Sequence, residues 1–394
     1  MCGWFRANKP FERNSMKFSK SVKVVALAAA TLMIAPAAFA GVTISGDGSS
    51  FAAPLLNACK SAWQTSSGNT LGSYPAGGSG TGRKNADAGI NDFNFSDASY
   101  VPAKSTVIHI PVVAAPIAIA YNLIGKKSLN LSQKTLADIF AGKVTYWDDS
   151  EIKADNTKPF KKVIFKTDGN GNPVKDKSGQ PIVLKTLTVS QHFTISHHKI
   201  ILETRSDSSG TTQNLVNFFI AQFPSVWTKP SNGTFANVFP GNINDPANLG
   251  RIQSAKGSAL VAAAVKSTPY SIGYMEESYA ANNGLGIAAI QNAAGNFQAP
   301  DAAGTAAFLS SATASTDGKL TFNYNTTNAG AYVLGIVSYA LVDTAKSDAN
   351  SAATKSFLQY VLSPACPTSA PTLGYTTITG NLLSIDNGLL AKLK

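Results

Sequence analysis

Hydrophobic and polar positions change period repeatedly along this chain. Val42-Thr43-Ile44-Ser45-Gly46 is a short β-prone run, and it feeds the small-residue loop Asp47-Gly48-Ser49-Ser50. Leu55, Leu56, Cys59, Ala62 and Trp63 then recur at helical spacing. The first unit therefore reads strand, Gly/Ser loop, helix. Tyr74 to Arg83 is a second Gly-rich loop that leads into a helix, and Phe93-Asn94-Phe95-Ser96-Asp97 is a strand ending in a polar pair. Val107 to Tyr121 is a long β-branched and alanine-rich run broken by Pro111 and Pro116, predicted to be a buried strand crossing between two parts of the molecule. Thr135 to Phe140 reads as helix and Val144 to Asp149 as a turn region. Ile200 to Glu203 is a strand, followed by Arg205-Ser206-Asp207-Ser208-Ser209-Gly210-Thr211-Thr212 and an amphipathic helix marked by Leu215, Phe218, Phe219 and Phe223. Tyr332 to Val342 is a second long apolar strand, a candidate return crossing, and Ser351 to Leu362 is helical. Strands alternating with helices predict an α/β fold.

Phe160 to Ile201 breaks this rhythm. Two turn-rich stretches, Asp168 to Pro173 and Asp176 to Pro181, lie between short β-branched runs, which predicts a strand-and-turn insertion. The spacing of Asp168, Asn170 and Asn172 matches the start of a calcium loop, but Gly at the sixth position and Glu at the twelfth are missing.

Composition narrows the class. A chain of 394 residues with 44% hydrophobic and 14% charged residues suits two or three domains with sizeable cores, and it does not suit disorder. The N-terminus has the layout of a secretory leader: basic Lys17, Lys20 and Lys23, an apolar run from Val24 to Ala35 too short to span a bilayer, and the small-x-small site Ala38-Phe39-Ala40. Cleavage after Ala40 is expected, with Met16 as the true start, giving a mature chain from Gly41 to Lys394 without a lipid-anchor Cys after the cleavage site. The total charge of +11 overstates the mature protein: residues 1–40 hold six basic groups and one acidic group, leaving +6. A mild positive field favours small anions. A basic stripe interleaved with aromatic residues is missing, which argues against nucleic acid. In the mature chain Cys59 and Cys366 are an even pair. An oxidising compartment permits a disulfide between them, and two buried thiols are the alternative.

The candidate chemistry lies at the strand-to-helix loops. In Arg205 to Thr211 a strand ends, a Ser/Gly turn follows and a helix begins. The first N–H groups of a helix lack intrahelical partners, and the dipole places partial positive charge there, which makes an anion site. Ser209 and Thr211 add hydroxyl donors, Gly210 permits close backbone approach, and Arg205 supplies a charge-assisted contact. The bland alternative is a routine Ser N-cap with Arg205 paired to Asp207. Recurrence favours the anion site: Ser49-Ser50-Phe51 and Gly77-Gly78-Ser79-Gly80 sit at loops of the same kind. Gly82 is followed by Arg83, Lys84 and Asn85, so the phosphate loop of nucleotide-binding proteins fails, and these loops hold no Gly-x-Ser-x-Gly nucleophile elbow. His197-His198 reads as a solvated strand end rather than a metal site, and neither a catalytic residue nor a cofactor is expected.

Together these loops resemble the phosphate-binding proteins of the Pst-type ABC importer. The resemblance rests on Gly46-Asp47-Gly48-Ser49-Ser50-Phe51, Gly78-Ser79, Phe95-Ser96-Asp97-Ala98 and, most specifically, Arg205-Ser206-Asp207-Ser208-Ser209-Gly210-Thr211. Leu136 to Lys143, Trp147-Asp148-Asp149 and Ile272-Gly273-Tyr274 add to it, so it covers most of the mature chain. It implies a two-lobed type II periplasmic-binding-protein fold with two crossing hinge strands, lobe I being residues 41–113 plus 336–394 and lobe II residues 114–335, including the insertion at about 160–201. It also implies a phosphate site of Ser50, the Phe51 N–H, Ser79 and Asp97 from lobe I, facing Arg205, Ser209, the Gly210 N–H and Thr211 from lobe II, with Asp207 orienting Arg205. Expected partners are inorganic phosphate and the membrane permease of an ABC importer, for a monomeric periplasmic or secreted protein that is not an enzyme. A phosphate-scavenging or adhesion protein, and a phosphate-ester hydrolase on the same scaffold, are the alternatives. Ser50 stands where Thr is more usual, and the 160–201 insertion is long for the family.

Overall fold

A computed structural model describes residues 41–125, 128–157, 160–189, 194–368 and 373–394. The expected secretory leader, with Lys17, Lys20, Lys23 and Ala38-Phe39-Ala40, lies outside them, as do Cys2 and His192.

In chain order, the elements that position the site begin with β1 (Gly46–Gly48), α1 (Ala53–Ser67), α2 (Ser79–Ala88) and β2 (Phe93–Ser96). They continue with β3 (Val107–Tyr121), α3 (Gln133–Phe140), β4 (Phe160–Phe165), β5 (Val183–Val189), β6 (Ile201–Arg205) and α4 (Gly210–Gln222). The remainder are β7 (Ile252–Ala255), α5 (Gly257–Ser267), β8 (Ser271–Glu276), β9 (Gly286–Ile287), β10 (Gly335–Asp343), α6 (Ala349–Leu362) and α7 (Gly380–Leu390). An eight-stranded sheet runs in the order β7-β6-β8-β3-β10-β2-β1, with β9 also paired to β3.

Strand β3 joins the two halves of this sheet. Its first part pairs antiparallel with β10, from Val107 opposite Asp343 to Pro116 opposite Gly335, and Ile117 to Tyr121 pair antiparallel with β8. All of β3 except Ile108 is buried, so apart from His109 its sequence is an apolar run rather than an alternation. Pro111 is tolerated because the register shifts beside it: Ser338 faces Val113 while Tyr339 faces Pro111. Such a bulge spares a ladder position from needing an N–H. The return strand starts at Gly335, later than Tyr332, because Tyr332 to Leu334 serve the junction itself: Tyr332 Oη donates to the Ile117 carbonyl at 2.7 Å, and Ile117 N–H donates to the Leu334 carbonyl at 2.9 Å. At the other end of the chain the predicted strand over Val42 to Gly46 is interrupted at Ser45, whose N–H donates to the Asp92 carboxylate at 2.7 Å. Strand β6 in turn runs two residues past Glu203, so Arg205 is its last residue.

Each half has its own aromatic packing. Trp63, Phe93, Phe95 and Phe357 cluster on one side, and Phe140, Phe218, Phe219, Trp227, Phe235 and Tyr274 on the other. Cys59 on α1 and Cys366 form a disulfide with Cα atoms 5.2 Å apart. This settles the pair as a cross-link between the N- and C-terminal segments. Helix α7 packs on β3, and its Asp386 is fully buried with neither carboxylate oxygen hydrogen-bonded. Burial pushes the Asp386 carboxyl up to about 8.

The insertion is a β4–β5 antiparallel hairpin. Its two turns are closed by their own aspartates. Asp168 accepts the N–H groups of Asn170 and Asn172, both at 2.9 Å, and Asp176 accepts those of Ser178 at 2.8 Å and Gln180 at 2.9 Å. The aspartate spacing that matches the start of a calcium loop is thus turn chemistry.

Candidate anion-binding site

The loops singled out in the sequence meet at the carboxyl ends of the strands. β1 lies parallel to β2, and β6 lies parallel to both β7 and β8. β2 runs in the direction of β3 and β8 against it, so the carboxyl ends of the two sets face each other across the middle of β3.

Asp97 follows β2 and is buried among hydroxyls. Its Oδ1 accepts from Ser338 Oγ at 2.8 Å and from Ser49 Oγ, and its Oδ2 accepts from Thr211 Oγ1 at 3.0 Å and Ser79 Oγ at 3.4 Å. Burial raises the carboxyl above its usual range, against the hydroxyls of Ser49, Ser338 and Thr211 and the charge of Arg205. The backbone is held as well: Asp97 N–H donates to Ser79 Oγ at 3.1 Å, and Asn214 Nδ2 donates to the Asp97 carbonyl at 2.7 Å.

Arg205 faces this cluster from β6 with its side chain buried. Nε donates to Asp207 Oδ1 at 2.7 Å and Nη2 to Oδ2 at 2.5 Å, a bidentate pair that fixes the guanidinium plane. Nη1 points to Ser258 Oγ at 3.5 Å. Burial works against the charge of Asp207, but the hydrogen bonds and charge of Arg205 outweigh it and hold the carboxyl below its usual range. Asp207 also accepts the Gly257 N–H at 3.0 Å.

The remaining predicted residues fall around these two groups. Ser209 caps α4, accepting the Thr212 N–H at 3.1 Å. Gly210 and Thr211 open the helix, where N–H groups have no intrahelical acceptor. A Cβ on Gly210 would meet Ser79 Oγ at 2.6 Å and Asp97 Cβ at 2.8 Å, so only glycine fits where α4 approaches the Asp97 loop. Gly78, at φ +98°, is equally constrained, because a Cβ there would lie 2.2 Å from Asp207 Oδ2. Ser50 Oγ lies 3.2 Å from Ser258 Oγ and accepts the Ser258 N–H at 3.1 Å. The Phe51 N–H donates to Ser49 Oγ at 3.0 Å. The structure thus collects Ser79, Asp97 and Thr211 into one hydrogen-bonded group and links Ser50 to Arg205 through Ser258.

Four participants escaped the sequence reading. Ser49 lies in a loop already singled out, one residue before Ser50. Ser254-Ala255-Lys256-Gly257-Ser258 is a fourth strand-to-helix loop, recognisable because a Gly/Ser pair follows β7 and opens α5. Ser338 is the one hydroxyl within the apolar part of β10 before Tyr339, and a buried polar residue in such a strand needs a partner. Asn214 has no local signal, since its position one turn into α4 reads as ordinary helix.

Among the described residues no group of three His, Cys, Asp or Glu side chains could hold a metal ion. His197 pairs with Asp148 at 2.9 Å and stacks on Tyr146, and His198 stacks on Tyr270.

The sequence model of the PBP superfamily domain matches residues 35–365. The chain belongs to the PBP superfamily. Its curated relatives include the phosphate-binding protein PstS of Methanocaldococcus jannaschii, 30% identical over 237 residues that make up 58% of this chain and 51% of that protein. PstS of Pasteurella multocida is 30% identical over 265 residues, 66% of this chain and 64% of that protein. The chain thus spans about half the length of the Methanocaldococcus relative. The fold matches the ancestral soluble variant of the human phosphate binding protein with a TM-score of 0.64 at 18% identity, covering 89% of this chain and 93% of that one. A phosphate-binding protein from Stenotrophomonas maltophilia matches with a TM-score of 0.56 at 17% identity and the same coverage. The architecture is accordingly the two-lobed type II binding-protein fold of this superfamily, with β3 and β10 as its crossing strands.

Proposed function

We propose that this protein binds inorganic phosphate outside the cytoplasm and delivers it to the membrane permease of an ABC importer. It does so as a monomer and without catalysis. The observation that carries this reading is the pairing of a buried acceptor with a buried cation. Asp97 is a carboxylate held by hydroxyls on one side of the seam, and Arg205, fixed by Asp207, stands with the α4 N-terminus on the other. A tetrahedral anion that still carries a proton satisfies both sides at once. Its negative oxygens take Arg205, the N–H groups of Gly210 and Phe51 and the hydroxyls of Ser50, Ser79, Ser209 and Thr211, and its P–O–H donates to Asp97. Sulfate has no proton to give near neutral pH and would set an oxygen against the carboxylate, so discrimination comes from a repulsive contact. The relatives named phosphate-binding protein PstS support the same ligand.

Binding requires movement. Thr211 Oγ1 and Asn214 Nδ2 bond directly to Asp97, and Gly80 N–H bonds to the Ser208 carbonyl at 2.9 Å, so these contacts must part for the anion to reach Asp97. Residues 41–113 plus 336–394 form one lobe in this reading and residues 114–335 the other. They swing about β3 and β10, and the anion then takes over the hydroxyls and N–H groups.

Calorimetric titration of the mature chain with phosphate and with sulfate, beside Asp97→Asn, tests the reading. Tight phosphate binding, no sulfate heat and weakened discrimination in the variant are expected. Absence of phosphate binding by folded, ligand-stripped protein overturns it.

A further inference from the structure

Nearly all the net positive charge of the mature chain falls in one segment. Residues 160–201 hold seven lysines and two aspartates, net +5, against +6 for residues 41–394 as a whole. Asp168 and Asp176 spend their carboxylates closing the hairpin turns. Lys161, Lys162, Lys166, Lys177 and Lys185 are exposed, and among the described residues none of them forms an ion pair. At longer range Lys162 acts on the Asp301 carboxyl.

Apolar side chains accompany this charge. Val183, Leu184 and Leu187 on β5 are 47%, 60% and 39% exposed. Register places Lys162 opposite Leu187 and Ile164 opposite Lys185, on the face away from the buried Val163 and Phe165. Lys162 and Lys185 therefore alternate with Ile164 and Leu187 across the outer face of the hairpin, and the exposed Leu184 sits in the bulge beside Lys185. Lysines that merely protect a sheet edge from pairing would not leave Leu184 and Leu187 exposed beside them. Among the described residues the exposed large apolar groups of the hairpin are aliphatic, which does not suit stacking on nucleic-acid bases. The combination does suit a lipid surface, where ammonium groups meet anionic headgroups and short aliphatic side chains enter the boundary below them.

We propose that the β4–β5 hairpin docks this protein on an anionic bilayer surface, independently of the anion site between the lobes. The test is co-sedimentation of the mature chain with vesicles of phosphatidylglycerol and phosphatidylcholine, or of phosphatidylcholine alone. Binding to the anionic vesicles is expected, falling steeply as salt rises past about 0.1 M, where the screening length shrinks to about 10 Å. The pair Lys162→Glu and Lys185→Glu should lower partitioning by about tenfold or more, and Leu184→Ser with Leu187→Ser by a few-fold, with unfolding temperature and phosphate titration unchanged because all four positions are exposed. Equal binding to neutral vesicles, unchanged partitioning of the charge-reversed pair, or binding to polyglutamate without binding to vesicles each overturns the proposal. Loss of phosphate binding in the wild-type chain would count against the anion site and leave this docking untouched.

Discussion

Asp97, at the seam between the loops, and Asp386, on the buried face of the C-terminal helix α7, are both sealed from water, and burial raises both carboxyls. Their surroundings differ. Asp97 receives four hydroxyl hydrogen bonds and lies in the field of Arg205, whereas Asp386 has none and no cation is among the causes of its shift. Burial alone therefore does not mark a binding site. Convergent donors do, because they keep an acceptor usable in a place where an isolated charge would simply protonate.

The same substitution at both positions breaks the comparison most sharply. Asp97→Leu strands several buried hydroxyls and leaves Arg205 less compensated, and should cost about 3–5 kcal/mol of stability together with all phosphate binding, read by denaturant unfolding and calorimetry. Next in size is Gly210→Ala, where the new methyl meets Ser79 and Asp97; phosphate affinity should fall by about a hundredfold, or about 3 kcal/mol, while the open protein stays folded. Asp386→Leu should act in the opposite direction to Asp97→Leu, stabilising by about 1–3 kcal/mol at pH 8.

The sign follows from linkage. The folded Asp386 carboxyl titrates at about 8, against an unfolded value of about 3.9. Between these values the folded state holds a proton that the unfolded state has released. The stability contribution of Asp386 is therefore complete below about pH 4 and is lost as pH rises to about 8. Unfolding of Asp386→Leu across that window should show a flatter pH dependence than wild type. Smallest is Ser338→Ala, which removes one of four donors to Asp97; about 1 kcal/mol of stability and a several-fold loss of phosphate-over-sulfate preference are expected, with the fold intact.

The local chemistry was legible because it is local. Glycine and serine at the ends of β1 and β6, the helices that follow them and the arginine–aspartate pair at 205 and 207 all act within a few residues, and periodicity or capping rules reach that far. The apolar run of β3 was legible too, since a strand buried on both faces leaves no alternation. The tertiary structure alone decided which hydroxyls meet. Ser338 reaches Asp97 across 241 positions and Ser258 reaches Ser50 across 208, distances over which no local pattern operates. Cys59 and Cys366 were open between thiols and a bridge until the fold set their Cα atoms 5.2 Å apart. A strand's period tells which face a residue occupies, but only the order β7-β6-β8-β3-β10-β2-β1 tells which strand's end lies beside which. The residue types of the site were thus determined by the sequence, and their company by the packing of two sheet halves through two crossing strands.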